Sequence, residues 1–381
     1  MNTYLQRCRS VIKDAVSKIA VIGNESCDLD SAVSSIAFAF HLQHVPTLLG
    51  SWHRKDSAAV FPVLNVTRAE LPLKTEVTFF IKRHGIALDD LICRDEIDWN
   101  AKQQALNVIL VDHHVTTLQQ NVIGILDHRP IESNARFNSN AAFRTIELVG
   151  SCATLVGREM FNQETFVELP EGYTTALDLL YGAIVLDTVN FSKQADKAKP
   201  LDYEIVEKIE TYRNISEANR LTHREQLFQA LVQARSDVSE LSAYQLLQKD
   251  LKIISQNDRT VSVPGFPMAV QDYIKLPEQM EHLSRFANET ASNVVILLGL
   301  KVLPDGSVRR DVGIVPINDE RLAEQVRCTI VTALLACEDM NFQLEEIPTS
   351  GRKGKFFQQH NLKASRKQLM PIVKSVLSAL E

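Results

Sequence analysis

Apolar and polar runs alternate along the first half of the chain in the way that is typical of an α/β fold. Residues 19–22 are apolar throughout and lead through Gly23 into a polar loop. Apolar residues then recur three and four positions apart over 33–40, which predicts a helix with one buried face. We expect Asp30 or Ser31 to cap this helix. The segment therefore reads as a strand, a polar loop and a helix.

Other apolar runs extend this pattern through the first half of the chain. Strands are predicted at Val60 to Val66, Val77 to Ile81, Asn107 to Val111 and Ile123 to Leu126. Because several of these runs are apolar throughout, we expect a parallel sheet that is covered by helices on both faces. Helices are predicted at 152–161 and 174–186, and the second leads directly into Asp187.

The second half of the chain has a different pattern of charged and aliphatic residues. From Ser192 to about Asn219 the sequence is charged, mostly helical and poor in aliphatic clusters, which favours a connector. Beyond it, helices are predicted at 221–254 and 320–337 and from about Ser365, with strands at 294–300 and 312–315. We therefore predict an N-terminal parallel-sheet domain at 1–200, a helical connector at 201–220 and a smaller α/β domain at 221–381.

Composition narrows the possible functions. A chain of 381 residues is longer than a domain with one hydrophobic core usually is. Its content of 45% hydrophobic and 23% charged residues is average for a globular protein. No apolar segment approaches the roughly 18 residues that a membrane span needs, so no membrane partner is expected. A net charge of -6 argues against binding nucleic acid through the global field.

The cysteines indicate the compartment. The six cysteines are far apart and form no C-x-x-C pair, so neither a disulfide framework nor a zinc knuckle is predicted. A reducing compartment follows, and we expect the cytoplasm. The mitochondrial matrix remains the alternative, because Arg7 and Arg9 precede any acidic residue.

Polar side chains follow several of the apolar runs. Asp28 and Asp30 lie in the loop after the first strand, where α/β folds place their sites; alternatively, Asp30 only caps the helix and Asp28 is solvated. The run 106–111 ends in Asp112-His113-His114, and burying these groups costs free energy unless they are paired or bind a metal. The same arrangement recurs at Asp127-His128-Arg129 and at Asp187.

A parallel sheet would bring these strand ends together in a site with many aspartates and few imidazoles. Hard oxygen ligands with one or two nitrogens suit Mn²⁺, Mg²⁺ or Co²⁺ better than structural zinc. A carboxylate that bridges two divalent ions is electrostatically reasonable, because the ions offset the repulsion between the aspartates. Such a pair lowers the pKa of a shared water and binds the oxygens of an in-line phosphoryl displacement.

These motifs resemble the signatures of the DHH phosphoesterase superfamily. Within it, the chain is most similar to the prune-type branch of animal proteins, which is related to exopolyphosphatases and family II inorganic pyrophosphatases. The segments that carry the resemblance are Asn24-x-x-x-Asp28-x-Asp30-Ser31, Asp112-His113-His114, Asp127-His128-Arg129, Asp187, the Arg94 to Asp98 stretch and Glu147 to Leu155. The second half resembles the substrate-binding DHHA2 module, which implies an active site in the cleft between the domains.

The resemblance also implies a set of metal ligands. Asp28 is expected to bind the first ion, Asp112 to bridge both ions, and Asp30 and Asp187 to bind the second. His128 is expected to be a further ligand of the second ion. The implied cofactors are two divalent ions, Mn²⁺ or Mg²⁺, with Co²⁺ as an alternative.

Two positions depart from the pyrophosphatase pattern. Asn24 and Arg129 stand where family II pyrophosphatases carry histidines, which favours the exopolyphosphatase side of the superfamily, and we expect both residues to bind substrate. We expect His113, His114 and Asp127 to be catalytic. Alternatively, the histidines only hold Asp112 by hydrogen bonds, because imidazoles serve both as proton donors and as supports of metal ligands.

Cations in the second half are expected to bind the rest of the substrate. Lys252, Arg366 and Lys367 match the DHHA2 motifs that bind phosphate, although such residues alone are more often solvated surface. Arg352, Lys353 and Lys355 lie between glycines and form either a phosphate-binding loop or ordinary surface.

The leading hypothesis is hydrolysis of a phosphoanhydride bond in short-chain inorganic polyphosphate by a metal-activated water. One alternative is a phosphodiesterase acting on 3',5'-cyclic nucleotides at the same centre. The few aromatic residues near the motifs offer no platform on which a base would stack, which favours polyphosphate. A third hypothesis is a weakly active regulatory protein that binds nucleoside diphosphate kinase, as the resemblance implies.

Overall fold

The computed structural model describes residues 1–12, 17–52, 58–99, 105–118, 121–162, 169–303, 305–317, 321–337, 341–349 and 353–380. The chain divides into two compact units, Met1–Arg235 and Ser236–Glu381. No helix among these residues is long and apolar enough to cross a membrane.

The first unit alternates strands and helices, as the hydrophobic pattern predicts. Its elements are α1 (Asn2–Val11), β1 (Ser17–Ile22), α2 (Leu29–His44), β2 (Ala58–Val63), α3 (Thr75–Arg83), β3 (Ala105–Val111), β4 (Asn121–Asp127), β5 (Phe143–Ile146), α4 (Cys152–Phe161), α5 (Tyr173–Asp187), α6 (Pro200–Tyr212) and α7 (Glu217–Ser236). The strands form a parallel sheet in the order β2-β1-β3-β4-β5.

This order determines where the polar motifs lie. Ile22 pairs with Leu110, and Val111 pairs with Leu126, so the carboxyl ends of β1, β3 and β4 meet at one edge of the sheet. Asp28 and Asp112 lie in the segments that follow β1 and β3, Asp30 lies at the start of α2, and Asp127 ends β4. The α/β fold with a parallel sheet is thus confirmed.

The core explains why the strand runs are apolar throughout. Helix α2 is almost entirely buried and packs against β1, β2, α4 and α5. Helix α5 has low polarity on every side because neighbours also surround it. Burial of apolar surface stabilises this arrangement by about 25 cal/mol for each Å² removed from water. A single continuous core therefore underlies the edge where the motifs meet.

The strand predicted at 77–81 is wrong, because this segment lies within α3. Val77, Phe80 and Ile81 are buried, whereas Phe79 is 36% exposed. Burial at positions i, i+3 and i+4 is the helical period. The β-branched and aromatic residues raised the strand propensity of this short run, and packing overrode it.

The predicted connector at 201–220 is helical but packs within the first unit. Ile205, Val206 and Ile209 of α6 are buried in its core. Helices α6 and α7 are joined by a buried pair in which Nε and Nη2 of Arg224 donate to the two oxygens of Glu210 at 2.6 and 2.7 Å. The division between the units therefore falls after Arg235 rather than at 220, because these charged helices are amphipathic.

The second unit is a smaller α/β domain, as predicted. Its elements are α8 (Ala243–Lys249), β6 (Asp250–Gln256), β7 (Arg259–Phe266), α9 (Val270–Tyr273), α10 (Gln279–Glu289), β8 (Val294–Val302), β9 (Val308–Pro316), α11 (Arg321–Leu335), β10 (Leu344–Glu346), β11 (Lys355–Gln359) and α12 (Arg366–Ala379). The sheet order is β10-β11-β9-β8-β7-β6, with β7 and β8 parallel and the other pairs antiparallel. The helix predicted at 221–254 is interrupted, and its last residues lie in β6.

Candidate active site

The loop between β1 and α2 holds two of the predicted ligands. The N-cap of α2 is Asp28, whose Oδ1 accepts from the Ser31 N–H at 3.1 Å, so the predicted cap at Asp30 or Ser31 is wrong. Asp30 lies in the first turn and is 2% exposed. A Cβ atom on Gly23 would lie 2.8 Å from both the Cβ atom and the carbonyl oxygen of Ser31. Only glycine permits this close approach of the loop to the helix.

Among the described residues of the site, the side chain of Asp112 accepts the most hydrogen bonds. It follows β3 in a left-handed conformation, with φ at 60°, and is 1% exposed. Its Oδ2 accepts from Asn24 Nδ2 at 2.7 Å and from Ser31 Oγ at 2.6 Å. Its Oδ1 accepts from His128 Nε2 at 3.1 Å and from Arg129 Nη2 at 3.2 Å. Donors from the loops after β1 and β4 thus fix this carboxylate on both oxygens.

The N-terminus of α4 holds Asp30. Its two carboxylate oxygens accept from the backbone N–H groups of Cys152 at 2.7 Å and Ala153 at 2.8 Å. Ser34 Oγ donates to the same carboxylate at 3.1 Å. Unpaired amides and the helix dipole both favour a negative charge at a helix N-terminus. The site therefore keeps a buried carboxylate in a fixed orientation.

Asp30, Asp112 and His128 offer ligand atoms that all lie within 4.8 Å of one another. His128 Nδ1 donates to the carbonyl oxygen of Val149 at 3.0 Å, which directs Nε2 towards the carboxylates. This is the orientation that metal-binding histidines usually have. Two carboxylates and one imidazole suit Mn²⁺ or Mg²⁺. The donor set therefore fits a divalent ion.

The charges around this cluster also favour a bound cation. Burial raises the pKa of Asp187, at the end of α5, well above its usual value, and the charges of Asp30, Asp28 and Asp112 raise it further. Burial and then Asp30 also raise the pKa of Asp28. Burial opposes protonation of His128, but its hydrogen bond to Asp112 and the charge of Asp30 raise its pKa to about 10, so a cation bound at Nε2 would replace the proton that Nε2 donates to Asp112. Mutual repulsion among the carboxylates is what a bound cation would relieve.

A left-handed turn follows Asp187. Val189, Asn190 and Phe191 have φ angles of 52°, 50° and 58°. This conformation is unusual for a β-branched residue such as Val189, and strained backbone is found most often at functional sites. The turn is held by the Asn190 N–H, which donates to the Val185 carbonyl at 2.8 Å. It reverses the chain immediately after the carboxylate.

His114 and Asp127, both predicted to be catalytic, form a buried pair. His114 Nδ1 donates to Asp127 Oδ2, and the Glu132 N–H donates to His114 Nε2 at 2.9 Å. Asp127 Oδ1 accepts from the backbone N–H groups of His128 at 2.7 Å and Arg129 at 3.3 Å. Both ring nitrogens and both carboxylate oxygens are thus engaged. In this arrangement the pair positions the loop after β4, and the catalytic roles of both residues stay predictions.

His113 is placed differently. Its Nδ1 donates to the carbonyl oxygen of Val111 at 2.9 Å, and burial lowers its pKa, so the ring is neutral with Nε2 as the acceptor. Among the described residues, Nε2 has no hydrogen-bond partner. Its catalytic role stays a prediction.

Asn24 and Arg129, the two residues that depart from the pyrophosphatase pattern, lie in different surroundings. Asn24 is buried, and its Oδ1 accepts from the Ser26 N–H at 2.9 Å while its Nδ2 binds Asp112. Asn24 therefore holds Asp112, and its predicted contact with substrate stays a prediction. The side chain of Arg129 is 46% exposed and touches Asp112 through one nitrogen. Its predicted role in binding phosphate stays a prediction.

Several supporting groups were not predicted as site residues. Ser31 and Ser34 donate to the carboxylates of Asp112 and Asp30. The Cys152 thiol donates to the Leu126 carbonyl at 3.2 Å while its N–H binds Asp30. The spacing of Asp30 and Ser34, one helical turn apart, was a usable signal. The contacts with Cys152 depend on packing between distant elements and left no local signal.

The cations predicted in the second unit lie near the start of β6. Arg366 donates to the carbonyl oxygen of Asp250 at 2.6 Å and to its Oδ1 at 2.8 Å. Lys252 lies two residues along the same strand, so it shares a sheet face with Asp250. Lys252 and Lys367 are exposed. Lys355 pairs with Glu346, and Arg352 lies outside the described residues.

Comparison with known proteins agrees with this site. The DHHA2 domain family matches residues 229–376. Exopolyphosphatase PRUNE1 of Mus musculus is 33% identical over 387 residues, which span 100% of this chain and 80% of that protein. A putative exopolyphosphatase of Schizosaccharomyces pombe is 28% identical over 96% of this chain and 92% of its own length.

A more distant relative is the manganese-dependent inorganic pyrophosphatase of Methanocaldococcus jannaschii, which is 22% identical over 77% of this chain and 86% of its own length. The resemblance to prune-type proteins is confirmed by relatives that align along 100% and 96% of this chain. The chain belongs to the prune family of the DHH phosphoesterase superfamily and carries that superfamily's DHHA2 domain in its second half.

Proposed function

We propose that this protein is a metal-dependent exopolyphosphatase that hydrolyses the terminal phosphoanhydride bond of short-chain inorganic polyphosphate. The observation that carries the proposal is the convergence of Asp30, Asp112 and His128 within 4.8 Å at the edge of the parallel sheet. The names of the relatives, exopolyphosphatase and manganese-dependent pyrophosphatase, support a phosphohydrolase with a small phosphate substrate.

The residues that would hold two divalent ions, Mn²⁺ or Mg²⁺, are Asp28, Asp30, Asp112, His128 and Asp187. Such ions lower the pKa of a bound water and offset the negative charge of phosphoryl oxygens. The support for this assignment is the raised pKa of Asp28 and of Asp187, each due first to burial and then to neighbouring carboxylates. Asp112 is the best candidate for a bridging ligand, because neighbours hold both of its oxygens.

The chain's own residues supply orientation and substrate binding. Helix α4 fixes Asp30, and Asn24 with Ser31 fixes Asp112, so the carboxylates are held before a substrate arrives. Arg129 reaches solvent beside Asp112 and is placed to bind phosphoryl oxygens. In the second unit, Lys252, Arg366 and Lys367 stay our predicted phosphate-binding residues.

Polyphosphate is favoured over a cyclic nucleotide by the composition of the site. The side chains assigned to it are carboxylates, imidazoles, an amide, hydroxyls and cations, and none is a benzene or indole ring on which a base would stack. A string of phosphates needs only cations and metal ions.

The decisive experiment compares wild type with Asp112→Ala on pyrophosphate, tripolyphosphate, tetraphosphate and 3',5'-cyclic AMP, with Mn²⁺ or Mg²⁺. We expect turnover of the short polyphosphates by wild type, its loss on chelation and recovery when Mn²⁺ is restored. Asp112→Ala should reduce turnover at least about a thousandfold.

Asp89→Ala removes an exposed carboxylate of the same unit and is the matched control, which should behave as wild type. Preferred turnover of cyclic AMP would replace the proposed substrate. Turnover that does not need a metal, or that survives Asp112→Ala, would overturn the proposal.

A further inference from the structure

Arg94 lies at the edge of the first unit's sheet where the motifs meet. Its N–H donates to the carbonyl oxygens of Leu64 and Val66, both at 3.0 Å. These residues follow β2, which pairs with β1 in parallel, so they leave the sheet at the same edge as the loop that carries Asp28. The Arg94 to Asp98 stretch thus borders the site from the side opposite β4.

A short series of hydrogen bonds connects Arg94 to the aspartate site. Arg94 Nη1 donates to Asn65 Oδ1 at 3.3 Å, and Asn65 Nδ2 donates to the Gly23 carbonyl at 2.8 Å. Gly23 is followed by Asn24, which binds Asp112 at 2.7 Å. Asn65 is only 8% exposed, and each end of its amide has one partner, so its orientation is determined. The guanidinium is therefore positioned relative to the loop of the first motif.

Most donors of this guanidinium remain available. Arg94 is half-buried, and among the described residues Nε and Nη2 have no acceptor. Two other arginines satisfy the nearby acid, because Arg9 and Arg68 both donate to Glu96. Lys74 Nζ donates to the Ser26 carbonyl and adds a second cation on this side of the loop. An arginine with free donors at the sheet edge where the motifs meet is suited to an anion that arrives from outside.

We propose that Arg94 binds a phosphoryl group of the substrate and, together with Arg129, defines the length of chain that the site accepts. The guanidinium of Arg94 binds Asn65, which follows β2, and that of Arg129 binds Asp112, which follows β3, with β1 between these two strands. Two strand spacings separate these two anchor points by about 10 Å. A chain of several phosphates contacts both arginines, whereas pyrophosphate is too short to do so. This inference rests on the proposed function, because it assigns a subsite of the same centre.

The test measures kcat and KM of Arg94→Gln with Mn²⁺ on pyrophosphate, tripolyphosphate and tetraphosphate. Glutamine keeps a donor for Asn65 but removes the charge. Loss of a charge-assisted contact should raise KM for tetraphosphate about tenfold, while kcat and the pyrophosphate KM change less than about twofold. Arg94→Lys should recover part of the tetraphosphate affinity. Arg83→Gln removes an exposed arginine at the end of α3 and is the control for long-range charge.

Equal changes for all substrates, or a fall in kcat alone, would overturn the subsite and leave a structural role. Equilibrium binding of tetraphosphate to wild type and Arg94→Gln separates this proposal from the function. If wild type binds tetraphosphate but hydrolyses none, the proposed function fails, and a tenfold weaker affinity of the variant still supports the subsite. If wild type neither binds nor hydrolyses it, both proposals are overturned.

Discussion

Asn24 donates from Nδ2 to the carboxylate of Asp112 at 2.7 Å, and the same nitrogen reaches the main-chain carbonyl of Asp112 at 3.2 Å. The Ser26 N–H donates to Oδ1 of Asn24, which fixes the orientation of the amide. In this geometry the nitrogen, not the oxygen, faces the aspartate. Position 24 therefore acts on the candidate bridging ligand by hydrogen bonding and does not add another ligand.

Asn24→Ala should weaken metal binding and turnover together. It removes a hydrogen bond to a buried charged group, which contributes about 1.5–3 kcal/mol. We expect the affinity for Mn²⁺ to fall about tenfold and kcat on tripolyphosphate to fall by a similar factor. Calorimetric titration with Mn²⁺ and steady-state kinetics provide the measurements.

Asn24→Asp is the matched variant for this prediction. It is nearly isosteric but sets a second negative charge against Asp112, so its metal-free form should be less stable than that of Asn24→Ala. Wild-type metal affinity in Asn24→Ala would show that the donors from Ser31, His128 and Arg129 are sufficient to position Asp112.

Gly23→Ala should destabilise the first unit and disturb the site. The added methyl would lie 2.8 Å from the Cβ atom and the carbonyl oxygen of Ser31. Overpacking of this kind costs about 1–3 kcal/mol. Moving Ser31 also weakens its bond to Asp112. We expect a lower urea midpoint and lower kcat. Ser31→Gly in the same chain should regain part of the stability but not the turnover, and an unchanged midpoint in Gly23→Ala would contradict the packing argument.

Four of the five strands of the first sheet could be predicted from the sequence, because mostly apolar runs of this length are typical of buried strands, whereas β5 was not predicted. Runs 19–22, 107–111 and 123–126 all lie in strands. Helices α3 and α6 were misjudged, since a short apolar run fits either period and a charged helix can still bury one stripe. Which stripe is buried depends on the partner, and a local pattern does not contain the partner.

The same limit applies to the site. The sequence places Asp28, Asp30 and Asp112 at strand ends, and a parallel sheet brings such ends together. It does not show which polar neighbours bind one another. His114 and Asp127 look as reactive as Asp112 in the sequence, yet the turn after β4 directs them towards each other and towards backbone amides. Hydrogen-bond partners follow from turn geometry that spacing alone does not determine.

Asp127→Ala should act mainly on stability. It leaves the His114 Nδ1–H and the buried amides of His128 and Arg129 without an acceptor, at about 1–3 kcal/mol for each group. We expect the free energy of unfolding to fall by about 3 kcal/mol, and metal affinity to fall because His128 is displaced. Urea unfolding and Mn²⁺ titration test this. Lost turnover with unchanged stability and metal affinity would restore the direct catalytic role first predicted for Asp127.

His41 should make the first unit sensitive to acid. It is 1% exposed on α2, neither ring nitrogen has a partner among the described residues, and burial, followed by the charge of His44, lowers its pKa to about 4. Because the unfolded pKa is about 6.5, the unfolded state takes up the proton first, so stability falls between pH 6.5 and 4. This term costs about 2 kcal/mol at pH 5. In urea unfolding at pH 7 and pH 5, His41→Leu should reduce the difference, and His223→Leu, at an exposed position, should not. An equal loss in wild type and His41→Leu would assign the acid sensitivity to other groups.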